Sequence, residues 1–483
     1  MKVMISYPPL KGKGTPTLGQ NRQFQWFHNP SFIYPMVPAS AATLLASKGY
    51  DAVYNDSIAE MIDWDMYINM LLDVKPDVIA IETKTPVVKQ MWSIEAEIKK
   101  VLPQVITVLM GDHVTAFPLE SMQNSTFDFV ITGGDFDFSL LSIADYLSKK
   151  SGLISGIWYR DNKDIKDTGK FDHSNNDLNS LPFIDRDLTK WKLYGEKFFK
   201  YSPYTYTMVG RDCPWGKCTF CAWTGLFPKF RTRSSDSLLS EIDMLVRKYG
   251  IKEVFDDTGT FPRGEWLKKF CEGMINRDYK MSILANYRFD YINKETAPLM
   301  KKAGFRLMKF GLESANQATL DRVCKGIKVE DIEKGCRIAK DAGLGVHLTV
   351  MVGYPWETRD DANRTLDLAR KLLDKGLADM LQATVVTAYP GTPLYDQAIQ
   401  NDWLRFQAGD WDKFDMTEPV FKTPDMSPEE VVGKCESIYK AFMTPRFILR
   451  QLLAVRSWAD LAFIFKAGKA VIGHIMDFMK IRK

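Results

Sequence analysis

Short apolar runs recur through the first 150 residues and alternate with segments of helical period. KVMISY (2–7), DAVYND (51–56), DVIAIET (77–83), VITVLMG (105–111) and DFVITGG (128–134) are rich in β-branched residues and apolar on both faces. That pattern predicts strands of a parallel sheet covered on both sides by helices. AATLLASKG (41–49) carries the helical pattern and a closing Gly49. Five such units predict an α/β domain over residues 1–150, a doubly wound sheet of the flavodoxin-like kind. Ligands of such sheets lie beyond the carboxyl ends of the strands. Here those ends are Tyr7-Pro8-Pro9, Thr83-Lys84-Thr85, Gly111-Asp112-His113 and Gly133-Gly134-Asp135.

The pattern changes over 151–202, where GIWYRDNKDIKDTG (156–169) predicts a hairpin and NDLNSLPFIDRDL (176–188) an extended linker. A second βα series follows over 203–400. Its candidate strands are YTYTMVG (204–210), KEVFDD (252–257), SILANYR (282–288), RLMKFGLE (306–313), GVHLTVMVG (345–353) and MLQATVVTAY (380–389). Six units predict an open, partial βα barrel, whose chemistry sits at the C-terminal ends of the strands. Residues 401–483 predict a mainly helical region, with SPEEVVGKCESIYKAF opened by Ser427 and Glu430 in capping-box spacing. No repeat of about 20 to 50 residues interrupts this order.

Composition adds limits. The 483 residues are 45% hydrophobic and 26% charged, as in an ordinary globular protein. A net charge of +4 argues against a dedicated nucleic-acid binder. MKVMISYPP lacks the pattern of a secretory signal, and no apolar run of about 18 residues predicts a membrane span. The expectation is a cytoplasmic chain with reduced thiols, in which clustered cysteines point to metal or catalysis.

One cluster exists. RDCPWGKCTFC places Cys213, Cys218 and Cys221 within nine positions, just after the first barrel strand, while the other four cysteines stand far apart. A structural zinc site takes four ligands, usually as two pairs. A cubane iron–sulfur cluster held by three cysteines keeps one iron open for a substrate or cofactor. An incomplete zinc knuckle or buried free thiols are the plainer alternatives.

RDCPWGKCTFC resembles the cluster loop of radical S-adenosylmethionine (SAM) enzymes, with one residue more between its first two cysteines than their usual C-x3-C-x2-C. Phe220 matches the aromatic that lies near the adenine in that family. KFGLESANQATLDRVCKG (309–326) resembles the family's fourth-strand segment, implying that Glu313 and Ser314 reach SAM. FDDTGTF (255–261), with Asp256, Asp257 and Thr258, stands at the second-strand end, where the family binds the SAM amino group. ANYRFDYIN (285–293), with Arg288, resembles the third-strand segment; VMVGYPWET and TAYPGTPLY resemble the fifth and sixth. Taken singly, Glu313 could equally be a helix-capping acid and Asp256 and Asp257 a capping pair.

The doubly wound domain ahead of this core resembles that of the cobalamin-binding subfamily. The resemblance implies a cobalamin near Tyr7, Pro8, Thr83, Lys84, Thr85, Gly111, His113, Thr115, Gly133 and Gly134. The D-x-H-x-x-G cobalt-ligand motif is absent, so the expectation is cobalamin with no histidine on cobalt. The usual G-E-G-E is here Gly133-Gly134-Asp135-Phe136-Asp137. Taken alone, this domain could equally bind a nucleotide.

The resemblance implies a [4Fe-4S] cluster, SAM and cobalamin as cofactors and an external donor such as flavodoxin or ferredoxin. The implied reaction is hydrogen abstraction from an unactivated carbon by a 5′-deoxyadenosyl radical, followed by methyl transfer. Cyclisation or rearrangement without net methylation, and an iron–sulfur sensor without turnover, are the alternatives.

The last segment, 444–483, spaces Arg446, Arg450, Arg456, Lys466, Lys469, Lys480, Arg482 and Lys483 among large apolar residues, against only Asp460 and Asp477. It predicts either helices packed on the barrel with a solvated basic face, or an interfacial helix. The second implies peripheral membrane contact and a lipid-like substrate in place of a soluble small molecule.

Overall fold

The computed structural model describes residues 1–18, 24–27, 30–439, 442, 444–453, 455–458 and 460–469. Lys480, Arg482, Lys483 and Asp477 of the basic segment lie outside them.

The first sheet has seven strands: β1 (Lys2–Tyr7), β2 (Asp51–Asp56), β3 (Val78–Thr83), β4 (Ile106–Gly111), β5 (Phe129–Ile131), β6 (Ile157–Asp161) and β7 (Asp164–Asp167). Their order is β2-β1-β3-β4-β5-β6-β7. The first five are parallel and the β6–β7 hairpin joins antiparallel at the edge. This is the flavodoxin-like order, which reverses direction at β1 and opens a crevice at the carboxyl ends there.

The second sheet takes β8 (Tyr204–Thr207), β9 (Glu253–Asp256), β10 (Ser282–Tyr287), β11 (Phe305–Glu313), β12 (Gly345–Val352) and β13 (Met380–Val385) in sequential, wholly parallel order. This is the expected six-stranded partial barrel. All the expected strands form, but several end early. The run 128–134 stops at Ile131, because Thr132 turns to bond the Gly156 carbonyl through both its amide and its hydroxyl. The runs 204–210 and 380–389 stop at Thr207 and Val385. Apolar sequence continues past each ladder, as buried loop after Ile131 and Val385 and, after Thr207, into the short strand Gly210–Arg211.

Past the barrel, 401–427 holds only a short 3-10 turn and one bridge between Leu404 and Phe421. The helical region begins at helix Pro428–Tyr439, where Ser427 and Glu430 form the expected reciprocal cap. Helix Pro445–Leu453 and helical backbone over 460–469 follow. Their basic residues are not uniformly solvated: Arg450 donates to the Leu373 and Ala378 carbonyls, and Lys466 to that of Phe199.

One apolar cluster runs through both sheets, from Val3 to Tyr439. The contact between them also holds a buried ionic cluster. Asp135 and Asp137, just past β5, are fully buried. Arg231 pairs with both oxygens of Asp135 at 2.8 and 2.9 Å. Arg211, two residues before Cys213, donates to Asp137 at 2.6 Å, and Ser40 adds a bond at 2.9 Å. Gly134 closes the same contact: a Cβ there would strike the Phe227 ring, and its amide donates to the Leu226 carbonyl at 3.0 Å. Burial alone would raise the Asp135 carboxyl, but Arg211 and Arg231 outweigh it and hold it below the usual carboxylate range.

A depressed carboxylate stabilises the fold above its unfolded pKa, and the contribution is lost as pH falls through the folded one. Asp135→Asn leaves two buried guanidiniums short of a charge. It should cost about 3–5 kcal/mol near neutral pH, and the difference from wild type should shrink as the solution is acidified below about pH 4. Denaturant unfolding of both proteins across that range measures this. A loss under about 1 kcal/mol, or one independent of pH, would contradict the role given to this cluster.

Candidate active site

The cysteine loop leaves the C-terminal end of β8. Its entry is tight, with Asp212 in the left-handed region at φ +68°. Cys213, Cys218 and Cys221 form no disulfide and are half-buried, and all three line one cavity of about 200 Å³ with Phe220. Cys213 Sγ lies 3.0 Å from Thr260 Oγ1. Among the described residues no group of three His, Cys, Asp or Glu side chains converges to hold a single ion. The three thiols share the wall of one cavity. The extra residue in the loop is accommodated through Trp215. Its indole donates to the Cys324 carbonyl at 2.7 Å, packs over Gly326 and lies under the Arg288 guanidinium.

Opposite the thiols stands a second charged pair. Glu313 ends β11 with φ +58°, after a register shift against β12. Non-glycine residues persist in that region when their surroundings over-determine them, often at functional sites. Its carboxylate accepts from Lys325 Nζ at 2.7 Å, and both line the cavity. Arg288 lines it too, held by Asp290 at 2.8 Å and by the Lys325 carbonyl at 2.9 Å. Burial pushes the Cys218 thiol up to about 11, opposed by Lys325 and Arg288. A thiolate there depends on those cations or on a metal.

Phe220, Arg288, Glu313 and the three cysteines are thus brought together. Asp256, Thr258 and Ser314 are not among the cavity-lining residues. Asp256 accepts from Thr207, Val209 and Thr258, and Thr258 accepts from the Gly210 amide, so these two brace the cysteine loop from behind. Ser314 bonds within the turn at Asn316 and toward Thr365. Asp257 lines a neighbouring, larger cavity. Neither carboxylate caps a helix as a pair, and Glu313 caps none. Lys325 and Thr260 are the residues that sequence reasoning missed. Lys325 stands twelve positions past Glu313 and only the fold brings them together.

The carboxyl ends of the first sheet lie against this site. Gly134 and His173 both bond the Leu226 carbonyl, at the end of helix Ala222–Leu226, which follows Cys221 directly. Behind it, Lys84 is buried beside Asp112 at 3.2 Å, and Glu82 bonds Tyr7. Burial raises Glu82 to about 7. Thr85 and Glu120 engage the two ring nitrogens of His113, at 3.3 and 3.0 Å, and Trp411 packs edge-on to it. Thr115 Oγ1 bridges the Gly111 carbonyl and the Gly133 amide. Gly111 has φ +137°, with the Thr83 carbonyl where a Cβ would lie. Pro8 is buried at the end of β1. Of the residues expected around cobalamin, all cluster at these strand ends, and His113 has neither nitrogen free.

Lys325→Met should raise the Cys218 titration further and slow its alkylation at a given pH. Mass-mapped alkylation of the metal-free chain across pH measures it. An unchanged Cys218 profile would show that Lys325 does not act on the thiol.

Residues 207–369 match the family model described as the radical SAM superfamily. Among curated proteins, an uncharacterized methyltransferase of Pyrococcus horikoshii is 26% identical over 461 residues, covering 94% of this chain and 95% of the relative. The anaerobic magnesium-protoporphyrin IX monomethyl ester cyclase of Rubrivivax gelatinosus is 23% identical over 432 residues, covering 86% and 75%. Among solved structures, the cobalamin-dependent SAM radical enzyme OxsB superposes with a TM-score of 0.68 at 15% identity, over 98% of this chain and 71% of the other. The radical SAM methyltransferase TsrM from Kitasatospora setae gives 0.64 at 16%, over 84% and 79%. The matched segment contains the three cysteines, Glu313 and Lys325, and the two-sheet fold extends the likeness over nearly the whole chain. The chain carries a radical SAM superfamily domain over residues 207–369.

Proposed function

We propose that the protein is a cobalamin-dependent radical SAM C-methyltransferase. The observation that carries this is the grouping of three thiols around one cavity at the strand ends of a half-barrel, with the carboxyl ends of a flavodoxin-like sheet against it. When bound, a [4Fe-4S] cluster, SAM and cobalamin supply one-electron cleavage of the sulfonium and a transferable methyl group.

The chain's own part is binding, orientation and exclusion of water. Cys213, Cys218 and Cys221 hold the cluster as thiolates, with Lys325 and Arg288 offsetting their charge. The Glu313 carboxylate, fixed by Lys325, would accept from SAM, and Phe220 would flank its adenine. Thr83, Lys84, Thr85 and Thr115 offer hydroxyl, ammonium and backbone groups at the strand ends, suited to an amide-rimmed macrocycle. His113 is tied at both nitrogens and would offer neither to cobalt. The donor is an external one-electron carrier of the flavodoxin or ferredoxin class. The cyclase relative supports a second reading, in which the same site closes a ring with no methyl transferred.

Reconstituted protein with reductant, methyl-labelled SAM and host extract should release 5′-deoxyadenosine and label a product. Absence of 5′-deoxyadenosine would overturn the radical reading; its release with no label transferred would favour cyclisation. Cys213→Ala, Cys218→Ala and Cys221→Ala should each lose cluster iron, whereas Cys271→Ala, Cys324→Ala, Cys336→Ala and Cys435→Ala retain it. Full iron and sulfide in Cys218→Ala would remove that assignment. The cobalamin EPR should keep the same nitrogen superhyperfine pattern in the wild type and in His113→Ala, and loss of a nitrogen coupling in the variant would contradict the place given to His113.

A further inference from the structure

A second cavity, of about 500 Å³, lies beside the cysteine site. The two share Lys309 and Gln382 in their walls, so they meet at that point. Away from it the lining is mostly apolar and comes from distant parts of the chain: Phe27, Phe198, Phe255, Leu381, Phe463 and Ile464. A space of this size suits a drug-sized molecule.

The inner end is polar. Lys309 and His347 are register partners on β11 and β12 and line the cavity side by side. His347 is 6% exposed, and its Nδ1 has no hydrogen-bond partner. A buried, unsatisfied nitrogen costs about 1–3 kcal/mol, so its position facing a cavity points to a ligand. Burial, with Lys309 beside it, holds the imidazole well below its ordinary value, so it is neutral and can either donate or accept.

The outer end is formed by the C-terminal helices. Phe447, Ile448 and Leu452 of helix Pro445–Leu453 line the cavity, yet no residue of that helix is buried. Leu449 and Leu453 on the same helix are exposed, and Trp458 and Phe465 are 85% and 76% exposed. Exposed Arg446, Arg456 and Lys469 stand among them. Large apolar residues interleaved with basic ones describe an interfacial surface that favours anionic lipid.

We infer that the larger cavity binds the apolar body of a membrane-borne amphiphile, its polar, reacting end at Lys309, His347 and Gln382, and its entry between the C-terminal helices. This rests on the radical SAM reading for the chemistry and on the cavity alone for the binding.

The test is binding to the full, reconstituted chain, read without turnover. Octanoate, laurate and palmitate compete with a fluorescent polyene fatty acid. Affinity should rise along the series by up to about fourfold per methylene, the ratio that about 0.8 kcal/mol gives. Ile464→Trp, which fills the cavity, should weaken palmitate about tenfold and octanoate far less. Lys309→Met should weaken all three about tenfold. Thermal unfolding of each variant confirms its fold, and the two variants lie on separate elements. The wild type should co-sediment with phosphatidylglycerol vesicles, and Trp458→Glu with Phe465→Glu should release it. Affinity independent of chain length, palmitate binding unaffected by either cavity variant, or no vesicle association would overturn the inference. Palmitate binding in a protein that cleaves no SAM would instead overturn the radical reading and leave the cavity assignment standing.

Discussion

The arrangement depends on the buried pairing of Asp135 and Asp137 with Arg231 and Arg211. Removing four charged groups from water is costly, and only close geometry with added hydrogen bonds offsets it. Asn176, Ser40 and His173 supply those additional contacts. Arg211 is two residues from Cys213, and Asp135 follows the glycine pair after β5. The cluster thus ties the mouth of one sheet to the cysteine loop of the other, and Gly134 lets the Phe227 ring approach.

From that fixed contact the site follows. The cysteine loop is held on one side by Arg211, behind by Asp256 and Thr258, and on the other side by Trp215 docked on the Cys324 carbonyl. Glu313 and Lys325 then face the thiols across the cavity as a neutralised pair. The half-barrel's interior is not filled by its own side chains below this level. Lys309 and Gln382 line both the cysteine-site cavity and a larger, mostly apolar one, so the two spaces adjoin.

Much of this was legible in the sequence. The first five strands show as short runs apolar on both faces, and six further units as a partial barrel. Cys213, Cys218 and Cys221 showed by spacing, and Phe220, Arg288 and Glu313 by their order after them. Asp256, Thr258 and Ser314 are expected as cofactor contacts from the resemblance of their segments to those of the radical SAM family. They are turned to loop hydrogen bonds, a choice of side-chain direction that spacing does not encode. The departure Gly133-Gly134-Asp135-Phe136-Asp137 was visible, but its partners lie 74 to 96 positions away in Arg211 and Arg231. Lys325 was hidden for the same reason, and the larger cavity more so, since Phe27, His347 and Phe463 meet only in the folded chain.

The central claim is that the three thiols hold a cluster with an open iron facing SAM. EPR of the dithionite-reduced, reconstituted chain, recorded before and after adding SAM, tests it most directly. The account predicts a [4Fe-4S]⁺ signal whose g-values shift on SAM addition. A signal unchanged by SAM, or no cluster signal after reconstitution, would contradict it.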